Sequence, residues 1–327
     1  MEERRKLTRI HKVVLGILHL GLEKELCRDK TLIDHGDADG KTALSWAAAR
    51  GDSKAVETLL RHGASVDIPD RIGQGPLRQS MKAHDATCTK LLLEYGARVD
   101  QTDNWRQTAL QSALYYPNPV QFLKPLLKHD ATVNTQDSMG HSPLMEAVML
   151  NHPDAVQLLL AHGAKADASN HRGLTPLHQG IRCNSHAALR ILLKERLDHT
   201  VYDQNRRTAL HWAADCADAE TLKILKEVRL YGLNAHDNDS SAMTAIDVAE
   251  NRREVEEAEG RPAVDSAWII AFADLLQSLV SQNTPRTPKT PKSPFGGSDV
   301  SDDFFVDAVQ HLSFQQLADL AEEGYAP

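Results

Sequence analysis

An all-α solenoid of stacked helix pairs is the fold this sequence predicts, on three observations. A unit running from Asp37 to Pro69, DADGKTALSWAAARGDSKAVETLLRHGASVDIP, returns at Asp70, Asp103, Asp137, Asn170 and Asp203, each step being 33 or 34 residues. Within the unit, apolar residues fall at helical spacing in two short runs: Leu44, Ala47 and Ala48, then Ala55, Val56, Leu59 and Leu60. Hydrophobic residues make up 41% of the 327 and aromatic residues only 5%, which suits thin Ala and Leu layers better than one aromatic core. A single helix pair cannot bury its own apolar face, so such units must stack and must have atypical ends.

The unit explains its own elements. Thr or Ser ahead of the first apolar residue can cap a helix through its side-chain oxygen, and Pro at the next position fits a first turn. Gly51 supplies the left-handed residue that ends the first helix, and Gly63 closes the second before an extended hairpin leads to the next Asp. The T-x-L segment recurs as Thr42-Ala43-Leu44, Gly75-Pro76-Leu77, Thr108-Ala109-Leu110, Ser142-Pro143-Leu144, Thr175-Pro176-Leu177-His178 and Thr208-Ala209-Leu210-His211. Leu59-Leu60 with Gly63-Ala64, Leu92-Leu93 with Gly96-Ala97, and Leu159-Leu160 with Gly163-Ala164 repeat the second half. These motifs resemble the ankyrin repeat, and the LSWAAARGD wording is similar to arrays common in fungal proteins. The resemblance implies protein binding through hairpin tips and the exposed face of the first helices.

Taken in order, residues 1–36 read as an N-terminal capping half-repeat. Ile10, Val14, Ile17 and Leu18 are spaced as a helix, His19 interrupts the run that would otherwise mimic a signal peptide, and Leu22, Leu26, Ile33 and Asp34 keep the register of a second repeat helix and its exit loop. Repeats are placed at 37–69, 70–102, 103–136, 137–169, 170–202 and 203–238. The second is loose, with Gly75, Arg78 and Ser80 in place of Thr, His and Ala. The third has one residue more and Pro117 where Gly is expected, so its YYPNP loop must run differently, whereas Asn151 and Asn184 tolerate the left-handed turn. Residues 239–280 read as a degenerate repeat and C-terminal cap. Its first helix runs on to Pro262, and Trp268, Ile269, Phe272, Leu275, Leu276 and Leu279 form its amphipathic second helix.

Residues 281–301 are too poor in apolar side chains to fold alone and read as a disordered Ser/Thr-Pro linker. Thr284, Thr287, Thr290 and Ser293 each precede Pro, the minimal mark of a proline-directed kinase, and phosphates there would reverse the charge set by Arg286, Lys289 and Lys292. Pro285, Pro288, Pro291 and Pro294 share an edge in a polyproline II helix, which either spaces the tail or fits an SH3 or WW groove. Residues 302–327 read as an amphipathic helical tail that either folds back on the array or presents a face to a partner. Phe304-Phe305 after an acidic run loosely resembles the two-phenylalanine motif that binds organelle-contact receptors, with spacing off by one residue.

A net charge of −8 argues against general affinity for nucleic acid or an anionic membrane. The four Cys, at 27, 88, 183 and 216, have no close pairing, which points to a reducing compartment; Cys183 and Cys216 read as small packing residues. No apolar run is long enough to span a bilayer, so an intracellular protein, cytoplasmic or nuclear, is expected. Gly40-Lys41-Thr42 ends like a P-loop, but Gly36 is one residue too close and Asp37 and Asp39 would repel phosphate. The His residues follow the repeat and form no H-E-x-x-H, so no metal, cofactor or catalysis is expected.

The chain therefore reads as a monomeric, non-enzymatic scaffold or adaptor with a protein partner. Residues two after each opening position are Asp39, Ile72, Trp105, Met139, Arg172 and Asn205; those at the adjoining helix ends include Lys82, Tyr115, Tyr116, Met149 and Arg182. Ile72, Trp105, Met139, Tyr115, Tyr116, Met149 and Arg182 are the candidate contact residues, being the residue types enriched at binding hot spots. An alternative keeps the fold and makes the tail the docking ligand, with the array as its carrier or cover.

Overall fold

The computed structural model describes residues 7–228, 230, 232–258 and 266–283. The chain divides into two compact units, Met1–Lys165 and Ala166–Pro327. Both are built of helix pairs, and no strand occurs among the described residues. The first unit pairs Arg9–Val14 with Leu22–Arg28, Ala43–Ala49 with Ser53–Arg61, Pro76–Gln79 with Thr87–Glu94, Ala109–Ala113 with Val120–Lys128, and Pro143–Met149 with Pro153–Ala161. The second pairs Pro176–Arg182 with His186–Leu192, Ala209–Cys216 with Ala219–Val228, and Ala245–Ala258 with Ser266–Asn283.

Caps set where the first helices begin. Thr42 accepts from the Ser45 N–H and Ser142 from the Met145 N–H, at 3.2 and 3.3 Å. Thr108 with Gln111, Thr175 with His178 and Thr208 with His211 close reciprocal capping boxes. Gly75 offers no side-chain cap, and the helix it opens is the weakest: four α residues pass into a 3₁₀ turn, Ser80–Ala83. Ser80 stands there in place of Ala, and its buried hydroxyl lies 2.7 Å from Thr89 Oγ1.

Between helix pairs the layers are apolar. Leu44, Ala47, Val56, Leu59, Phe122, Leu123, Val156 and Leu159 are buried in the first unit, and Leu189, Leu192, Leu210, Leu222, Trp268 and Phe272 in the second. Each fully buried Leu or Phe contributes about 1.5–3 kcal/mol. The Trp268 and Phe272 rings, one turn apart on the last described helix, stack with centroids 5.0 Å apart.

Two particulars add detail to the sequence reading and two differ from it. Residues 9–28 carry two helices, as expected, and Thr8-Arg9-Ile10-His11 opens the first with a T-x-x-H capping box in which Ile takes the place of Leu. The added residue in the third repeat moves the left-handed turn past Pro117 to Asn118, at φ 54°. Cys183 is exposed and Cys216 half-buried, so neither fills a packed layer. The last helix runs to Asn283, inside the span assigned to the linker, while Pro262, the four Ser/Thr-Pro positions and the 302–327 tail lie outside the described residues.

Candidate protein-binding site

Each hairpin is built on its opening acid or amide. Asp70 Oδ1 accepts the N–H of Ile72 at 3.1 Å and of Gln74 at 2.9 Å. Asp37, Asp103, Asp137, Asn170, Asp203 and Asp239 hold the second and fourth residues after them in the same way. Neighbouring hairpins are then tied through backbone: in the first unit Arg71 N–H donates to Asp39 O, Asn104 N–H to Ile72 O, and Ser138 N–H to Trp105 O. The tip residues are thus fixed at one register, one per repeat.

That ladder displays the predicted stripe. Ile72 is 42% exposed, Trp105 52% and Met139 50%, three large apolar side chains at equivalent places in consecutive repeats, where a soluble surface has no packing reason for them. The first-helix ends add Tyr115, 56% exposed, with Tyr116 and Met149 half-buried. A cleft of about 530 Å³ brings Ile72, Tyr115 and Tyr116 together with Arg78, Lys82 and Gln107. Trp105, Met139 and Met149 are not among its lining residues. Arg182 is exposed and belongs to the second unit. Tyr116 is partly structural, its ring meeting His84 and Phe122 edge-on at 6.0 and 6.1 Å.

The cleft's charge is uneven. Arg78 is engaged: Nη1 donates to buried Asp103 at 2.5 Å and Nη2 to Gln107 at 3.1 Å. Lys82 donates to Gln79 at 2.7 Å, and desolvation together with Lys41 holds its pKa below the usual lysine value.

Behind Tyr115 and Gln107 lies a group that the sequence reading passed over. Nine residues after the opening Asp, the first helix of the first, second and sixth repeats carries a donor that reaches the second carboxylate oxygen. Trp46 Nε1 donates to Asp37 Oδ2 at 2.9 Å, Gln79 Nε2 to Asp70 Oδ2 at 2.9 Å, and Trp212 Nε1 to Asp203 Oδ2 at 3.2 Å. The fourth repeat has Glu146 there, a second carboxyl in the place of that donor. Glu146 is 1% exposed; Oε1 accepts from Tyr115 Oη at 3.2 Å and Gln107 Nε2 at 3.5 Å, and Oε2 has no hydrogen-bond partner. Burial first, then the charge of Asp137, pushes its pKa up to about 8, against smaller opposing effects of the Tyr115 bond and Arg78.

His178 is a second buried group short of a bond. His11 and His211 turn Nε2 to Lys41 O and Met243 O, at 2.9 and 3.2 Å, but His178 Nε2 has no partner and burial drives its pKa down to about 4. No group of His, Cys, Asp and Glu arranged to hold a metal occurs among the described residues, and no described helix is long and apolar enough to cross a membrane.

Comparison with known proteins agrees with the geometry. A model described as ankyrin repeats in three copies matches residues 118–203 and 144–239, and one for the single ankyrin repeat matches 39–71. The human ASB11 ankyrin repeat domain is similar in structure, with a TM-score of 0.57 and 25% identity over 71% of this chain and 98% of that one. Palmitoyltransferase AKR1 of Lachancea kluyveri is 56% identical over 45 residues, which is 14% of this chain and spans only 6% of that protein.

Proposed function

We infer function from one premise: the chain belongs to the ankyrin-repeat family. Arrays of this kind are typically protein-binding scaffolds, and this one is a non-enzymatic scaffold or adaptor whose partner lies on the hairpin tips and first-helix ends of the second to fourth repeats. The observation that carries the reading is the Ile72, Trp105 and Met139 stripe, exposed and locked in register beside an aromatic-lined cleft. Large apolar side chains held rigidly at a surface lose little entropy on binding, which is what makes hot spots of Trp and Tyr. A non-enzymatic role is favoured because Glu146 and His178, whose pKa values burial displaces strongly, sit singly at repeat positions rather than as a nucleophile with its base.

Affinity purification with mass spectrometry tests this, comparing wild type, the Trp105/Tyr115/Tyr116 triple alanine variant and a chain ending at Asn283, with circular dichroism to establish that each is folded. A partner lost from the triple variant and kept by the shortened chain is the expected result. Partners kept by the triple variant and lost on shortening would move function to the tail and leave the array as its carrier.

A further inference from the structure

The fourth repeat differs from the first, second and sixth at one buried position. In those three the residue nine after the opening Asp is a donor to its second carboxylate oxygen, Trp46, Gln79 and Trp212, whereas Ser112, Gln179 and Val248 stand there in the third, fifth and seventh. Glu146 instead buries a carboxyl against Asp137, itself buried, whose Oδ2 has His141 Nδ1 no nearer than 3.6 Å. A buried polar atom without a partner costs about 1–3 kcal/mol, and Glu146 Oε2 is such an atom, next to the exposed stripe. Its two contacts, Tyr115 Oη and Gln107 Nε2, both come from residues that line the cleft, and Tyr115 is more than half exposed. Tyr115 and Gln107 are thus the two groups that stand between Glu146 Oε1 and the cleft.

We propose that Glu146 is a cation-accepting subsite of the binding face and takes the guanidinium of an arginine carried by the protein partner. The inference rests on the reading above that this face binds a protein. Arginine fits better than lysine because its planar fork can engage both oxygens of one carboxylate while its face lies on the Tyr115 ring. The groups facing Glu146 agree in sign: Asp137 from its own hairpin adds negative charge, and the positive charge of Arg78 is already met by Asp103. The proton that burial keeps on Glu146 leaves when the guanidinium arrives, so one positive charge replaces another and the subsite stays neutral.

The test uses the full chain and a probe of known composition. Random dodecapeptides displayed on phage are selected against the wild type, and the enriched sequences are synthesised for fluorescence anisotropy. The expected peptides carry one arginine beside an apolar or aromatic residue. Replacing that arginine by isosteric, uncharged citrulline should weaken binding about tenfold or more, and Glu146→Gln should do the same, without further loss when both changes are combined. Affinity for wild type should rise between pH 6.5 and 8.5, and that for Glu146→Gln should stay flat over the same range. Binding to Glu146→Gln within about twofold of wild type, tolerance of citrulline, or failure to enrich arginine overturns the proposal. Peptides that are lost from the Trp105/Tyr115/Tyr116 variant yet indifferent to Glu146→Gln would sink the arginine subsite and leave the binding face standing; peptides that survive the triple variant would sink the face as well.

Discussion

The fourth and sixth repeats begin alike and diverge at one side chain. In the sixth, Asp203 Oδ1 fastens the hairpin and Oδ2 receives the Trp212 indole N–H, with Arg207 lying over that ring. In the fourth, Asp137 Oδ1 does the same work, but the residue facing Oδ2 is Glu146, whose own Oε2 is unpaired. The tips differ in step with this: Asn205 is polar, and Met139 stands in line with Trp105 and Ile72. The sixth repeat keeps the donor, and the fourth has a carboxyl in its place beside the exposed apolar side chains.

The comparison depends on the register, and Leu159→Asp is the sharpest way to break it. Leu159 is fully buried between helix pairs, and a carboxylate there has neither partner nor water, so a loss of about 4 kcal/mol or more is expected in chemical denaturation. An unchanged midpoint would mean that the repeats are not equivalent as aligned, and the contrast between Trp212 and Glu146 would lose its meaning.

Much of this was legible beforehand because the repeat averages out local ambiguity. Six in-phase copies of T-x-L placed the first helices, and the left-handed positions followed from Gly51, Asn151 and Asn184, all at positive φ. The exposed stripe was legible too, since the residue two after each opening Asp is fixed by donating its backbone N–H to that Asp's Oδ1. Glu146 was not found. Its significance depends on which side chain meets Asp137, a contact between residues nine apart that appears only once the helix is folded against its own hairpin. The two N-terminal helices were legible from Ile10 and Val14 and then Leu22 and Leu26, and only their capping box, with Ile10 in the place of Leu, escaped the pattern.

Glu146→Gln sharpens the comparison directly. It turns the fourth repeat into a copy of the second, where Gln79 Nε2 reaches Asp70 Oδ2, and should raise stability by about 1–2 kcal/mol at neutral pH. The pH dependence carries its own sign. Glu146 titrates near 4.5 unfolded and is raised to about 8 in the fold, so between these values the folded state holds a proton that the unfolded state releases. Its contribution is greatest below about 4.5 and is lost as pH rises through 8. His178, depressed to about 4, acts in the opposite sense, costing stability as pH falls below 6.5. The difference between wild type and Glu146→Gln isolates the first effect: the gain should grow from pH 5 to pH 8, and a gain independent of pH would mean that Glu146 is charged in the fold.

The smallest effect concerns the fourth residue of each hairpin, where Gly40, Gly73, Gly140 and Gly173 have positive φ and where Arg106 and Arg206 hold the same left-handed conformation, at 62° and 59°. For a side chain with a Cβ that conformation costs about 1–2 kcal/mol, of which glycine returns part through the greater freedom of its unfolded chain. Arg206→Gly should therefore stabilise by about 0.5 kcal/mol, since its backbone bond to Asp203 O is unaffected. Arg106→Gly should behave alike in the array. Arg106 also adjoins Trp105, however, and a freer backbone there would blunt the rigid display of the indole. A pair of equal stability gains, with partner affinity lowered only by the change at 106, would separate the two kinds of repeat at a position where their folds are the same. Equal affinity for both variants would place the partner elsewhere on the array.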